Sequence, residues 1–114
     1  MASPAAAFFQ DQILADPFNK YCLDCKQKEV SFASVTFGIY ICDVCAQAHK
    51  EKFGMAGSYV KNLYYEAWDD YQMSFFIPGV GGSKPFYDFM KTYDLHNDTI
   101  QDKYSSKPAQ YYAV

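Results

Sequence analysis

The sequence predicts an α+β fold, mostly helical, in which helices wrap a small four-cysteine zinc-finger module carrying a short β segment. Three observations carry this. The four cysteines come as two CxxC pairs, Cys22/Cys25 and Cys42/Cys45, with sixteen residues between the pairs. The run from Ser34 to Ile41, which enters the second pair, is β-branched and aromatic, as strands are. Most of the remaining chain repeats apolar residues at helical spacing.

The elements follow in order. Ser3-Pro4 reads as an N-cap with proline at the first helical position. Ala5, Phe8, Phe9 and Ile13 continue that helix to about Ala15, and Asp16-Pro17 ends it. Asn19 to Cys25 is the first metal knuckle, followed by a polar loop over Lys26 to Ser31. A strand or extended turn, containing Gly38, covers Ser34 to Ile41. Asp43 to Lys52 is helical, with Asp43 at the positive end of the helix dipole. Phe53 to Lys61, with Gly54 and Gly57, reads as a loop. Tyr64 through Phe76 fits an amphipathic helix that stops before Pro78. After the glycines at 79, 81 and 82, the residues Phe86, Phe89, Met90 and Tyr93 mark one face of another helix. Leu95, Ile100 and Tyr104 suggest a short helix after Asn97, and Ser106 with Pro108 starts a last turn. The 114 residues form one domain, a zinc module over 19–52 and a helical part over 62–114.

Each CxxC pair clamps a metal from a tight knuckle, and four thiolates close a tetrahedron with no open position. One structural Zn²⁺ held by Cys22, Cys25, Cys42 and Cys45 is therefore expected, with iron as the other metal that suits four thiolates. A closed site leaves no place for metal catalysis. Two disulfides are the alternative use of four cysteines, but a CxxC pair suits a metal knuckle better than a cross-link.

The formal net charge is −3, and all ten basic residues are lysine. Without arginine the chain lacks the side chain that makes bidentate contacts to bases and phosphates, so no nucleic-acid partner is expected. No apolar run reaches the length of a transmembrane segment. Eleven tyrosines, ten phenylalanines and one tryptophan exceed what so small an interior readily hides, which points to protein partners.

The residues around the cysteines resemble one family. Asn19 stands three before Cys22; Ala33-Ser34 sits mid-loop; Gly38 precedes Cys42; His49-Lys50 follows Cys45. This is similar to the Arf GTPase-activating protein (Arf GAP) pattern N-x-x-C-x-x-C, then W-A-S-x-N-x-G-x-x-x-C-x-x-C-S-G-x-H-R. Gly54, Ser58, Val60, Lys61 and Trp68 continue the match after one extra residue. Gly81-Gly82-Ser83 through Met90, and Lys103-Tyr104-Ser105-Ser106-Lys107-Pro108-Ala109, resemble segments of the Golgi-type branch.

The departures cluster on the side that the family uses for chemistry. The catalytic arginine of the pattern is Lys50 here, its tryptophan is Phe32, its asparagine is Thr36 and its S-G is Ala46-Gln47. An arginine finger in this class of reaction is worth roughly 10³–10⁵ in rate. Lysine keeps the charge but loses the five-donor fork. The expectation is a chain with no catalytic residue and a degenerate finger position at Lys50. It would be catalytically inactive and not an enzyme, and would serve as a structural or protein-interaction subunit of a larger assembly. A chain that stops at Val114, without further membrane-sensing segments, supports that expectation. The alternative is a GTPase-activating protein for an Arf-type small GTPase using Lys50. The resemblance implies cytoplasm and Golgi membranes, or, for a repurposed copy, an organelle such as the mitochondrion.

Overall fold

The computed structural model describes residues 4–113. The expected Ser3 cap lies outside them. A three-stranded antiparallel sheet, β1 (Phe32–Ser34), β2 (Ile39–Ile41) and β3 (Val60–Asn62), has the order β2-β1-β3. Ala33 in the central strand faces Tyr40 on one side and Lys61 on the other. Because side chains alternate along a strand, Ala33 and Tyr40 enter one core and Ile39, Ile41 and Val60 enter another.

The first helix, α1 (Pro4–Ala15), buries Ala5 and Phe9 on the Tyr40 side. Asp16 then caps a single 3-10 turn, Pro17–Asn19, accepting from the Phe18 amide at 3.1 Å. Across the sheet lie α2 (Asp43–Gly57), α4 (Ser83–Lys91), α5 (Ile100–Ser105) and α6 (Lys107–Ala113), with Phe86, Met90, Tyr104 and Ala109 buried among them. The short α3 (Asp70–Ser74) follows β3 and the irregular segment after it.

Three sequence expectations are corrected. The run 34–41 is not one strand: it is a hairpin arm and a turn, with Val35–Gly38 between β1 and β2. Gly38 turns the chain at φ 65°, and its amide donates to the Ser34 carbonyl at 2.9 Å. The region 53–61 is not a loop. The helix that begins at Asp43 continues to Gly57 through a kink at Gly54 (φ 65°, ψ −178°), and 60–62 is a strand.

The long amphipathic helix over 64–76 shrinks to α3. Local side chains outcompete the helix there. Asn62 Oδ1 accepts from the amides of Tyr64 (2.8 Å) and Tyr65 (3.0 Å), forming a turn. The Trp68 indole N–H donates to the Asn62 carbonyl at 2.9 Å. Asp69 and Gln72 form a reciprocal capping box that starts a new helix. As a result Tyr65 and Tyr71 face solvent, while Phe76 is buried.

Asn19 and the glycine pair join the two halves of the chain. Asn19 Oδ1 accepts from the Ser83 amide at 3.1 Å, and Ser83 Oγ accepts from the Tyr40 amide at 2.9 Å. Gly81 packs so closely that a Cβ would stand 1.7 Å from the Phe75 carbonyl oxygen. The glycine break is therefore a close backbone crossing.

Candidate metal centre and its buried hub

Cys22 and Cys25 sit on a knuckle closed by backbone bonds from the Cys22 amide to the Lys28 carbonyl (2.9 Å) and from the Lys26 amide to the Cys22 carbonyl (2.9 Å). Cys42 is the N-cap of α2, and Cys45 lies in its first turn. The Leu23 amide donates to the Tyr40 carbonyl at 3.1 Å and docks the first knuckle onto β2. The four Sγ atoms thereby lie within 4.8 Å of one another. Cys25 and Cys42 place theirs 3.7 Å apart, close to the ~3.8 Å edge of a tetrahedron with metal–sulfur bonds of about 2.3 Å. Amides of Cys25 and Cys45 donate to Cys22 Sγ (3.5 Å) and Cys42 Sγ (3.4 Å).

The electrostatics fit a cation at the centre. Cys22 is lowered to about 5, foremost by its hydrogen bond with Cys45, against the opposing effect of burial. Cys45 is pushed up by the same bond and by burial, and Cys42 is pushed up first by burial. Four sulfurs this close repel one another as thiolates, and a tetrahedral divalent cation is what offsets that repulsion.

Beside the cluster lies a polar hub that the sequence did not reveal. Asp24, inside the first knuckle, has a side chain only 2% exposed. Its Oδ1 accepts from Lys103 Nζ (2.7 Å) and from the Tyr104 hydroxyl (2.7 Å). Its Oδ2 lies 2.9 Å from His49 Nε2. His49 Nδ1 lies 2.9 Å from Ser58 Oγ, which lies 2.8 Å from Ser34 Oγ. With the proton on Nε2, His49 donates to Asp24 and accepts from Ser58, which accepts from Ser34. Burial pushes the Asp24 carboxyl up, but His49 and Lys103 outweigh it and hold the group below its ordinary value. Burial, and then the neighbouring Asp24, push the Tyr104 phenol well above its ordinary value.

His49 is thus a fully buried packing residue. Lys103 was legible only as a charge on the apolar face of a short helix, three residues after Ile100 and next to Tyr104. A buried lysine demands an acid. The acid inside the CxxC pair was the available partner.

Lys50 follows His49 on α2 and is exposed. Its ammonium stands 5.2 Å from the centroid of the Phe32 ring, on the central strand. A cation on an aromatic face at this range is held by the ring quadrupole.

These features define an α+β domain built on a four-cysteine metal centre, with an exposed lysine on the helix that the centre anchors. The family model named ArfGap, described as "Putative GTPase activating protein for Arf", matches residues 8–113, and the chain belongs to that family. ADP-ribosylation factor GTPase-activating protein 3 of Pongo abelii and of Bos taurus are each 30% identical over 97 residues. The match takes in 84% of this chain and 18% of either relative, so the chain spans under a fifth of their length. Among solved structures, one titled "putative GTPase activating protein for ADP ribosylation factor" from Cryptosporidium parvum superposes with a TM-score of 0.82 at 22% identity. It covers 96% of this chain and 85% of that one. The ArfGap domain of human RIP superposes with a TM-score of 0.67 at 16% identity, covering 97% of this chain and 81% of that one.

The comparisons correct one expectation. The absence of arginine at position 50 led to a catalytically inactive chain that is not an enzyme. The relatives are named as GTPase-activating proteins, and nothing in the site supports inactivity. Physically, position 50 still offers a full positive charge on an exposed helix face. Among the described residues, no helix is long and apolar enough to cross a membrane.

Proposed function

We propose that this chain accelerates GTP hydrolysis by an Arf-type small GTPase, with Lys50 at the position of the family's catalytic arginine. The observation that carries the reading is the placement of Lys50: exposed on α2, five residues after Cys45, with its ammonium over Phe32. Phosphoryl transfer to water spreads negative charge over the γ-phosphoryl oxygens, and a cation brought against them lowers the barrier. A lysine supplies a point charge without the planar fork, so its stimulation falls short of the roughly 10³–10⁵ of an arginine finger.

Cys22, Cys25, Cys42 and Cys45 hold one structural Zn²⁺ in this proposal. When bound, the ion ties the first knuckle to the start of α2. The zinc module and the helical part act as one domain, a reading supported by the bonds of Lys103 and Tyr104 to Asp24. Gly81-Gly82-Ser83 and Lys103-Tyr104-Ser105 favour the Golgi-type branch, and with it cytoplasm and Golgi membranes as the location.

Single-turnover hydrolysis by an Arf-type GTPase loaded with GTP tests the proposal. The wild type is expected to raise the rate, Lys50→Ala to abolish the rise, and Lys50→Arg to raise it further. A rise that survives intact in Lys50→Ala would sink the assignment of position 50.

A further inference from the structure

An exposed lysine acts as a finger only if the helix beneath it is fixed in roll. Beyond its first turn, which Cys42 and Cys45 tie to the thiol cluster, helix α2 has little to fix it. Over fifteen residues it buries only Cys45, Ala46 and His49. Cys45 belongs to the thiol cluster, and alanine is too small to resist a rotation. A roll of about 20° moves a group ~6 Å from a helix axis by ~2 Å. A misplacement of about 1 Å can already cost ~10² in rate. His49 is the side chain that is both fully buried and bonded at each end of its ring. Tyr104 and Phe53 flank it, with ring centroids at 4.5 and 5.8 Å.

We infer that His49 is a positioning residue for Lys50: Asp24 and Ser58 lock its ring, the ring sets the roll of α2, and the Phe32 face then fixes where the Lys50 ammonium lies. Asp24 serves as the anchor because Lys103 and Tyr104, from the other end of the chain, hold its second oxygen. The catalytic consequence rests on the activity proposed above. The placement of Lys50 is a property of the chain alone.

The test therefore has two readouts, both on the full zinc-loaded chain. The Lys50 ε-methylene protons, beneath the Phe32 ring current, are expected upfield of lysines that face no ring, as are those of Lys26 and Lys61, whose ammonium groups stand 4.8 and 5.0 Å from the Tyr87 and Trp68 centroids. His49→Asn, which reaches Ser58 but falls short of Asp24, is expected to move them to the common lysine position. It should also lower kcat of stimulated hydrolysis by about 10-fold or more, while KM for the GTPase changes by less than about 2-fold. His49→Gln, whose amide reaches the Nε2 position, should restore both. Leu63→Ala, a core truncation on the other face of the sheet, controls for lost stability and should move neither.

An unmoved Lys50 resonance in His49→Asn, or a kcat loss that Leu63→Ala reproduces, overturns the inference. If His49→Asn does not fold, His49→Gln against Asp24→Asn decides: a Lys50 resonance unmoved in Asp24→Asn overturns it. A wild type that fails to stimulate hydrolysis counts against the activity, while the resonance still decides the positioning.

Discussion

The two faces of the small sheet are stabilised by opposite means. On one face, Phe9 meets Tyr40, Trp68 and Phe76 edge to face, with centroids at 5.9, 4.6 and 5.4 Å, and Ala5, Ala33 and Leu63 fill the rest. Burial there is non-directional and graded, so each lost methylene costs its own increment. On the other face an apolar cluster around Phe37, Phe86 and Met90 encloses four thiols and the ionic hub around Asp24. Those interactions are directional, and losing one member strands a charge or a polar group in the interior. The first face should degrade by degrees, the second by steps.

The largest step is the metal. A structural zinc contributes roughly 10–16 kcal/mol in small domains, as much as or more than the whole stability of a typical domain, about 5–15 kcal/mol. Chelation should therefore unfold both faces together. The fluorescence of Trp68, the single tryptophan, follows the aromatic face directly. If that signal survived a chelator, the two faces would be independently stable and the contrast would be wrong.

Next comes the ion pair. Lys103 is 1% exposed and bonded to Asp24. Lys103→Met removes one partner of a buried pair, a change that costs about 3–5 kcal/mol. Urea unfolding should also show strong non-additivity with Asp24→Asn, since neutralising the acid removes the reason for the lysine. Additive losses would mean that the two groups are not coupled.

How much of this was legible depends on the range of the forces. The cysteine spacing, the end of α1 at Asp16-Pro17 and the face of α4 at Phe86 and Met90 are local signals, and they are in place. The stretch 64–76 misled because its apolar spacing is genuine, yet Asn62 and the Asp69–Gln72 box intercept the backbone first. The strand at Val60–Asn62 has no signal of its own, since it depends on β1 across the intervening helix α2. The hub was unreadable for a similar reason. Asp24 finds Lys103 and Tyr104 across 79 and 80 residues, a range that no local pattern spans. The expectation of an inactive chain weighed only the fork that Lys50 lacks, and not the exposed helix position it occupies.

Two tyrosine hydroxyls give the finest comparison of the faces. Tyr104, on the polar face, is 1% exposed and donates to Asp24 at 2.7 Å. Tyr40, on the aromatic face, is fully buried, and among the described residues its hydroxyl has no hydrogen-bond partner. Removing the same atom should therefore have opposite signs. Tyr104→Phe loses a bond to a charged group and should destabilise by about 1.5–3 kcal/mol. Tyr40→Phe relieves a buried, unpaired hydroxyl and should stabilise by about 1 kcal/mol, the smallest change here. Thermal melts of the two variants beside wild type would read both signs at once. A loss of stability in Tyr40→Phe would mean that the aromatic face also depends on a directional bond, and the division between graded and stepwise faces would not hold at the sheet.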